Sequence, residues 1–385
     1  MNEIEQNSLF ADLDKERIRH PLTQPEDMLK FLFQGILGPD HLLADRETVI
    51  RRIETENAAG PEDPDSRPVP QDEEWLYQTV GERYLRLSLP VAVRTGIGAS
   101  GIAAMMLQSD QPEDSREEVI RTCKQYAQGQ PWGDKLRTLS LRLRDNTYLP
   151  SHSERYREAY HPSYRILSRS FEPLLLLIAE IAERTRDGGI VCIDGPCASG
   201  KSTLAERLAM ILDAVVVHTD DYVVPHSRKT PERLSVPGGN CDHERLLGEV
   251  LEPFAGDRAG IVRPYDCHAD KLLPPKELRP GGILILEGSY SLLPSLRSLA
   301  KAAVFVTASL ETRLKRLSVR ESPESLEQFK KRWIPLEEAY FSAYHLPDPE
   351  CIRFETGNEG RSVHGPGQAK ISQKQTNIKI EDRQD

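Results

Sequence analysis

The sequence predicts an α/β fold, in which helices cover both faces of a parallel sheet, preceded by a mainly helical N-terminal domain. After residue 188, short apolar runs alternate with helical patterns, as expected for parallel strands that are buried on both faces. Before residue 166, amphipathic helical patterns dominate. The apolar runs are 190–194, 214–218, 283–286 and 303–306, and Arg353-Phe354 is expected to form a last short strand.

Composition sets limits on the kind of protein. The chain has 385 residues, of which 38% are hydrophobic, and its formal net charge is −10. Its length favours two domains, at about 100–200 residues each. The negative charge gives no indication of a nucleic-acid surface. No apolar run is long enough to span a membrane, and the six cysteines form no Cys-x-x-Cys pair, which is typical of reduced thiols.

The chain is expected to divide into four parts. These are a mainly helical domain (1–165), a connecting helix (166–187), an α/β domain (188–356) and a disordered tail (357–385). The start, Met1-Asn2-Glu3-Ile4-Glu5-Gln6, is polar and acidic. It shows no secretory or mitochondrial signal, so a cytoplasmic location is expected.

Within the first domain, the pattern predicts several separate elements. Helices are expected from about Pro25 to Gly38, from His41 to Asn57, over 97–107, over 115–128 and over 134–145. Residues 58–73 are rich in Pro, Gly and acidic residues and are expected to form a loop. Residues 84–89 alternate like a strand.

Residues 151–165 are unusually rich in Tyr, His and Arg. Such side chains can bind phosphate or a ribose. An amphipathic, salt-bridged helix followed by a turn is the alternative, and it is the one we favour from the sequence. Nothing in 1–165 indicates a particular reaction.

The strongest motif is Gly-x-x-x-x-Gly-Lys-Ser between a predicted strand and a predicted helix. This is the context of a phosphate-binding loop, in which backbone N–H groups and the positive end of the helix point at a polyphosphate. Lys201 is expected to reach the β- and γ-phosphates, and the Ser202 hydroxyl to ligate Mg²⁺. The predicted ATP-binding residues are Gly195, Pro196, Cys197, Ala198, Ser199, Gly200, Lys201, Ser202 and Thr203.

Charged residues follow the other predicted strands. Asp220 and Asp221 follow the second strand and Glu287 ends the third, so they are expected near the loop at the carboxyl edge of the sheet. Asp220 could accept the proton of an acceptor hydroxyl, and Glu287 could hold Mg²⁺ directly or through water. The alternatives are a helix N-cap or turn for the aspartates and a turn for Glu287.

A basic helical segment follows the fourth strand. Arg313, Arg316 and Arg320 are spaced three and four apart and therefore share a helix face. Such a face is often merely solvated. Beside a phosphate-binding loop, Arg313 and Arg316 could instead neutralise a phosphoryl group in transfer.

Taken in order, these pieces resemble the uridine kinase family of P-loop nucleoside kinases over 188–355. The matching motifs are the loop 195–203, Asp220-Asp221-Tyr222, Asn240-Cys241-Asp242-His243, Arg263-Pro264-Tyr265-Asp266-Cys267-His268, Leu286-Glu287-Gly288 and Thr312-Arg313-Leu314-Lys315-Arg316. The resemblance implies Asp220 as general base, Glu287 as the Mg²⁺-linked acid, and Arg313 and Arg316 near the transferred phosphate. It also implies that Asp242 grips the ribose, and that Tyr265 and His268 face the base.

The sequence departs from that family at two points. Cys241 stands where the family often has an aromatic residue. The Arg-Gly pair common after the arginine helix is absent, and Lys330, Lys331 and Arg332 are candidates to replace its charge.

The predicted function is therefore an ATP- and Mg²⁺-dependent kinase for a hydroxyl of a nucleoside or a similar small metabolite. No nucleic-acid or membrane partner is expected. The alternative is an ATP-binding regulatory module whose N-terminal domain binds a partner. The sequence identifies neither the acceptor nor the oligomeric state.

Overall fold

The computed structural model describes residues 1–39, 45–58, 75–109, 115–357 and 362–364. Almost all of the predicted loop 58–73, and most of the predicted tail 357–385, lie outside these residues. The chain divides into two compact units, the first running from Met1 to Leu174 and the second beginning at Leu175.

The first unit combines helices with a small antiparallel sheet in the order β1-β2-β3. Its strands are β1 (Tyr77–Val80), β2 (Tyr84–Ser88) and β3 (Tyr164–Ser168). Its helices are α1 (Glu3–Arg19), α2 (Pro25–Leu37), α3 (Arg46–Ala58), α4 (Leu89–Arg94), α5 (Ala99–Leu107), α6 (Arg116–Tyr126), α7 (Gly133–Ser140) and α8 (Glu154–Tyr160), with 3₁₀ turns at Leu141–Arg144 and Arg169–Phe171.

Helix α2 lies in the core of this unit. Pro25 at its first turn provides a favourable start, and Gly38, with φ of 63°, ends it. Nearly all of its residues are buried. They pack with apolar residues of α1, α6 and β2, so this unit has its own hydrophobic core.

Two expectations for this region need correction. The prediction recognised β2 but missed β1 and β3, which pair with it on either side. The predicted connecting helix 166–187 is shorter in the structure, α9 (Glu172–Arg184), because residues 166–168 belong to β3. Tyr164 to Ser168 pair with the whole of β2, and this long-range pairing overrides the local pattern.

After α9, the second unit contains ten strands in the described residues. They are β4 (Gly189–Asp194), β5 (Val215–His218), β6 (Gly260–Val262), β7 (Tyr265–Asp266), β8 (Lys271–Leu272), β9 (Lys276–Leu278), β10 (Ile283–Glu287), β11 (Ala300–Thr307), β12 (Ile352–Glu355) and β13 (Ser362–His364).

The helices of this unit alternate with the main strands. They are α10 (Lys201–Leu212), α11 (Pro231–Ser235), α12 (His243–Arg245), α13 (Glu252–Ala255), α14 (Pro294–Arg297), α15 (Leu310–Arg320), α16 (Pro323–Gln328) and α17 (Ile334–Ala343). Segments Leu246–Leu251 and Phe329–Trp333 are π-helical, and Thr219–Asp221 and His226–Arg228 are 3₁₀ turns.

The main sheet has the order β13-β12-β11-β4-β10-β5. Strands β12, β11, β4, β10 and β5 are parallel, which confirms the predicted α/β architecture. Strand β13 pairs antiparallel with β12. The prediction of a disordered tail is therefore wrong at 362–364.

The register brings the ends of the central strands to one edge. Glu287, the last residue of β10, lies opposite Ile193 of β4 on one side and His218 of β5 on the other. Asp194 ends β4 and pairs with Phe305 of β11. The segments that leave these strands therefore start side by side.

All six cysteines are described, and all are free thiols. Among the described residues, no helix combines the length and the apolar character needed to cross a bilayer.

Candidate functional site

The segment between β4 and α10 has the backbone of a phosphate-binding loop. Gly195 has φ of 141°, and a Cβ there would lie 2.0 Å from the carbonyl oxygen of Val306. Gly200 has φ of 100° and caps α10. At Gly195 both the positive φ and the close neighbour require glycine, and at Gly200 the positive φ alone favours it, so these two residues set the shape of the loop.

Lys201 begins α10 and is buried. Its Nζ donates to the carbonyl oxygens of Gly195 at 2.7 Å and Pro196 at 3.2 Å. The ammonium therefore lies inside the curve of the loop. A lysine ammonium has three protons, so one remains for a further acceptor.

Glu287 connects two strand ends to the loop. Its Oε1 accepts from the Ser202 hydroxyl at 3.1 Å, and its Oε2 lies 2.8 Å from Nδ1 of His218. This hydrogen bond raises the pKa of His218, although partial burial opposes the shift. The predicted pair Ser202 and Glu287 is thus brought together, and His218 joins it as a residue that the sequence reasoning missed.

Asp220 lies in the 3₁₀ turn that follows β5. Although the residue is exposed, burial of its carboxylate among neighbouring atoms raises its pKa, and the charge of Glu287 adds to this. Lys201 acts in the opposite direction. The carboxylate is therefore within electrostatic reach of both Lys201 and Glu287, and solvent limits the size of the shift.

The local conformation differs from the extended one that the sequence suggested. In a 3₁₀ turn, successive side chains point about 120° apart, since there are about three residues per turn. Asp220 and Asp221 therefore still point in different directions, but because of the turn and not because of strand alternation. Thr219 anchors this turn, since its hydroxyl donates to the carbonyl of Ser289 at 2.9 Å.

Arg313 and Arg316 of α15 both contact the loop. Nε of Arg313, a buried residue, donates to the carbonyl of Cys197 at 2.8 Å. Nη1 of Arg316 donates to the carbonyl of Ala198 at 3.0 Å. Arg320 differs, because it is exposed and pairs with the neighbouring Glu321.

Helix α17 supplies a contact that no motif indicated. The buried carboxylate of Glu337 accepts from the backbone N–H of Cys197 at 2.8 Å and from the Ser289 hydroxyl at 2.7 Å. Arg313 lies 3.9 Å from the same carboxylate. Glu337 therefore ties the loop, the segment after β10 and α15 together.

A second carboxylate anchors the base of the loop. Asp194 is fully buried and accepts from the backbone N–H groups of Gly195 and Leu292 and from the hydroxyl of Tyr340. Burial raises the pKa of Asp194 to about 6, against the effect of Lys201 and these donors. Tyr340 lies three residues after Glu337, so the two residues share one face of α17. This face contacts Asp194, just before the loop, and Cys197 within it.

The residues expected at the acceptor lie in different environments. Asp242 is fully buried, and both of its oxygens accept from Nη1 of Arg228, at 3.1 and 3.2 Å. Tyr265 is buried and donates to Asp270. His268 is exposed in the turn between β7 and β8.

The three basic residues after α16 do not reach the loop through any described contact. Lys330 and Lys331 pair with Glu327, at 3.0 and 3.7 Å. The guanidinium carbon of Arg332 lies 5.0 Å from the centroid of the Trp333 ring.

The loop fits a polyphosphate and Mg²⁺. An α-helix leaves its first N–H groups without intrahelical partners, and those of α10 open onto the loop. The hydroxyl of Ser199 is buried without a hydrogen-bond partner among the described residues. Ser202 and Glu287 place two oxygen ligands together, and oxygen is the donor that Mg²⁺ prefers.

The parallel sheet, the loop at the end of β4 and the helix that follows define the second unit as an α/β fold of the P-loop NTPase type. No model of a known protein family matches the chain, and no curated protein matches it.

Solved structures that resemble part of the chain include two proteins described as possible kinases. A protein from Bacillus stearothermophilus described as a possible uridine kinase is 19% identical, with 46% of this chain and 94% of that chain covered and a TM-score of 0.36. A candidate fructose transport system kinase from Silicibacter sp. TM1040 is 20% identical, with 43% and 93% covered and a TM-score of 0.37.

Proposed function

We propose that this protein is an ATP-dependent phosphotransferase that moves the γ-phosphate of ATP to a hydroxyl of a nucleoside or a similar small metabolite. The observation that carries the proposal is the grouping of Lys201, Ser202, Glu287 and Asp220 at one edge of the sheet. Each of the four matches one requirement of phosphoryl transfer.

The first requirement is a cradle for the phosphates. The N–H groups at the start of α10 and the ammonium of Lys201 supply it, since Lys201 already lies inside the loop. Arg313 and Arg316 hold the loop through the carbonyls of Cys197 and Ala198. Their charge also remains close to the phosphates.

The second requirement is control of negative charge. Ser202 and Glu287 would hold Mg²⁺, which neutralises charge on the phosphates when it is bound. His218 orients Glu287 from the opposite side to Ser202. The carboxylate is thereby fixed before any ligand arrives.

The third requirement is a proton acceptor for the attacking hydroxyl. Asp220 is exposed and lies within electrostatic reach of Lys201, so an acceptor can approach its carboxylate from solvent. It would take the proton as the hydroxyl attacks the γ-phosphate. Asp242, Tyr265 and His268 are proposed to contact the acceptor. For Asp242 this requires Arg228 to move, because both carboxylate oxygens are engaged.

The test is ATP turnover by the full chain, with Mg²⁺, in the presence of a panel of nucleosides and sugars and with ATP alone. The proposal expects ADP release to increase strongly with one chemical class of acceptor, together with a phosphorylated acceptor detected by mass spectrometry. The Lys201→Ala variant, assayed on the same panel, shows whether any turnover comes from the loop.

Two other outcomes would contradict the proposal. If ATP binds but no acceptor stimulates turnover, the regulatory module becomes the better description, because a sensor has no use for a proton acceptor at Asp220. If ATP does not bind, the loop does not work as a nucleotide site.

A further inference from the structure

The first unit contains a dense cluster of buried polar and charged side chains, separate from the phosphate-binding loop. It is built from α1, α2, α8, β2 and the segments around them. We call it the Arg86 cluster, and its members are Glu16, Asp27, Lys30, Gln34, Arg86, His152, Tyr156 and Tyr164.

Arg86 is the centre of this cluster. It is only 2% exposed, although a guanidinium is among the groups most costly to bury. Its Nη1 donates to Glu16 at 2.7 Å and its Nη2 to Gln34 at 3.2 Å, and it lies against the rings of Phe31 and Tyr164. Its Nε has no hydrogen-bond partner among the described residues.

A second cation, Lys30, lies near the same ring of Tyr164. The ammonium of Lys30 lies 5.9 Å from the ring centroid, and the guanidinium carbon of Arg86 lies 4.4 Å from it. Lys30 is partly buried and makes no hydrogen bond or ion pair with any described residue. Burial is the main cause that lowers the pKa of Lys30 to about 8, and Arg86, Arg157 and Arg165 add to it against the charge of Asp27.

The two carboxylates of the cluster already have hydrogen-bond partners other than Lys30. Glu16 accepts from Arg86 and from the hydroxyl of Tyr156 at 2.7 Å. Asp27 accepts from the backbone N–H and the hydroxyl of Ser153 and lies 2.9 Å from Nδ1 of His152. Neither carboxylate forms an ion pair with Lys30.

His152 connects Asp27 to Tyr164. Burial lowers the pKa of His152 to about 4, so the ring is neutral at pH 7. Nδ1–H then donates to Asp27, and Nε2 accepts from the hydroxyl of Tyr164 at 2.7 Å. These hydrogen bonds fix the position of Tyr164. Its ring lies near Lys30 and Arg86, and its hydroxyl contacts the imidazole of His152.

From this geometry we propose that the Arg86 cluster is a binding site for the phosphoryl group of a small phosphorylated metabolite, with Lys30 and Arg86 as its principal contacts. Lys30 has a full set of donors to offer, Arg86 has its free Nε, and Arg157 is exposed and makes no side-chain bond within the described residues. A bound anion would offset the one positive charge by which Lys30, Arg86 and Arg157 exceed Glu16 and Asp27.

A phosphoryl group fits better than a carboxylate for two reasons. It presents three acceptor oxygens to donors from several directions, and it carries up to two negative charges. Arg165 pairs with Glu56 at 2.7 Å, so the cations to be balanced are Arg86, Lys30 and Arg157, against the carboxylates of Glu16 and Asp27.

The first experiment reads Lys30 directly. The full chain is acetylated at a series of pH values with limiting acetic anhydride, and the labelling of Lys30 is measured by mass spectrometry. The titration of Lys30 is compared without ligand and with inorganic phosphate, ribose 5-phosphate or acetate. Because the readout is specific to one residue, phosphate bound at the loop of the second unit does not affect its interpretation.

The proposal expects Lys30 to titrate near 8 without ligand and about one pH unit or more higher with a phosphate-bearing probe. A response to ribose 5-phosphate above that to inorganic phosphate identifies a phosphomonoester site, and the reverse identifies a free-anion site. An equal response to acetate would contradict the phosphoryl assignment.

The second experiment measures affinity by calorimetry in the Lys201→Ala background, in which the phosphate-binding loop should no longer bind the probe. Lys30→Gln should weaken binding of the better probe by roughly tenfold to a hundredfold, the value of one charge-assisted contact. Lys124→Gln is the matched control, since Lys124 is an exposed lysine on α6 that takes no part in the cluster. If Lys30→Gln and Lys124→Gln bind equally, or if no probe moves the titration of Lys30, the cluster is only a structural network.

Discussion

The backbone N–H of Cys197, in the phosphate-binding loop, donates to the carboxylate of Glu337 on α17 at 2.8 Å. The two residues are 140 positions apart in the sequence. The same carboxylate holds Ser289 and lies close to Arg313. The shape of the loop therefore depends on a helix that carries no recognised motif.

Glu337→Gln should weaken ATP binding severalfold and lower the free energy of unfolding by about 1–3 kcal/mol. The amide keeps the shape but removes the charge, so that the buried Arg313 loses its nearby carboxylate. Calorimetry and urea unfolding measure the two effects. The exposed neighbour Glu338→Gln is the control. Equal behaviour of the two variants would show that Glu337 does not support the loop.

Lys201→Ala should abolish detectable transfer and weaken ATP binding sharply. Under the proposed function, this ammonium contacts the β- and γ-phosphates from inside the loop. Lys315→Ala, an exposed lysine on α15, should leave both properties unchanged. Circular dichroism checks that each variant is folded. Unaltered affinity in Lys201→Ala would contradict the assignment of the loop.

Gly288→Ala should destabilise the second unit by more than about 1 kcal/mol and impair turnover. Gly288 has φ of 130°, and a Cβ would lie 2.1 Å from the hydroxyl oxygen of Thr219, which anchors the turn of Asp220. Gly248→Ala is the control, because a Cβ there meets nothing within 4 Å and Gly248 lies in a helical segment. Thermal unfolding compares them, and a neutral Gly288→Ala would show that this close approach is unimportant.

Glu16→Gln should lower the free energy of unfolding of the first unit by about 3–5 kcal/mol, because it leaves Arg86 buried without its carboxylate. The exposed Glu3→Gln on the same helix should have little effect. Urea unfolding at pH 7, followed through tryptophan fluorescence, measures the difference. A small loss of unfolding free energy would mean that the burial of Arg86 does not depend on its ion pair with Glu16.

The same pair of residues predicts a pH dependence. Although burial acts to raise it, the pKa of Glu16 is lowered, chiefly by the charge of Arg86. A depressed folded-state pKa means that the ionised form stabilises the fold above the unfolded pKa of about 4.3. This stability is lost as the pH falls below that value toward the folded pKa. The difference between parent and Glu16→Gln should therefore shrink in acid, and a constant difference would contradict the pairing.

The architecture of the second unit could be predicted because its signals are local. A few neighbouring residues are enough to predict the conformation of each main element. Examples are the apolar strands 190–194 and 283–286 and the loop between Gly195 and Lys201. Their meeting at one edge then follows from parallel pairing. The grouping of Ser202 with Glu287 was predictable for this reason.

The remaining features depend on distant partners. Residues 84–88 alternate in the sequence like a half-exposed strand, yet all five are buried. Arg86 can be buried only because Glu16 and Gln34, from two other helices, satisfy it. Likewise, Glu337 and Tyr340 look like ordinary polar positions of a helix until the fold places them at the loop. No spacing in the sequence distinguishes such residues from solvent-exposed ones.

The central claim is that Asp220 accepts the proton of the hydroxyl that receives the γ-phosphate. Its most direct test is the rate of transfer of labelled γ-phosphate from ATP to the identified acceptor by the parent, Asp220→Asn and Asp221→Asn, with ATP affinity measured in parallel. We predict that Asp220→Asn lowers kcat by roughly 10²–10⁴, the usual contribution of general-base catalysis, with little change in ATP affinity. Asp221→Asn should cost much less. Near-full transfer by Asp220→Asn, or a larger loss in Asp221→Asn, would contradict the account.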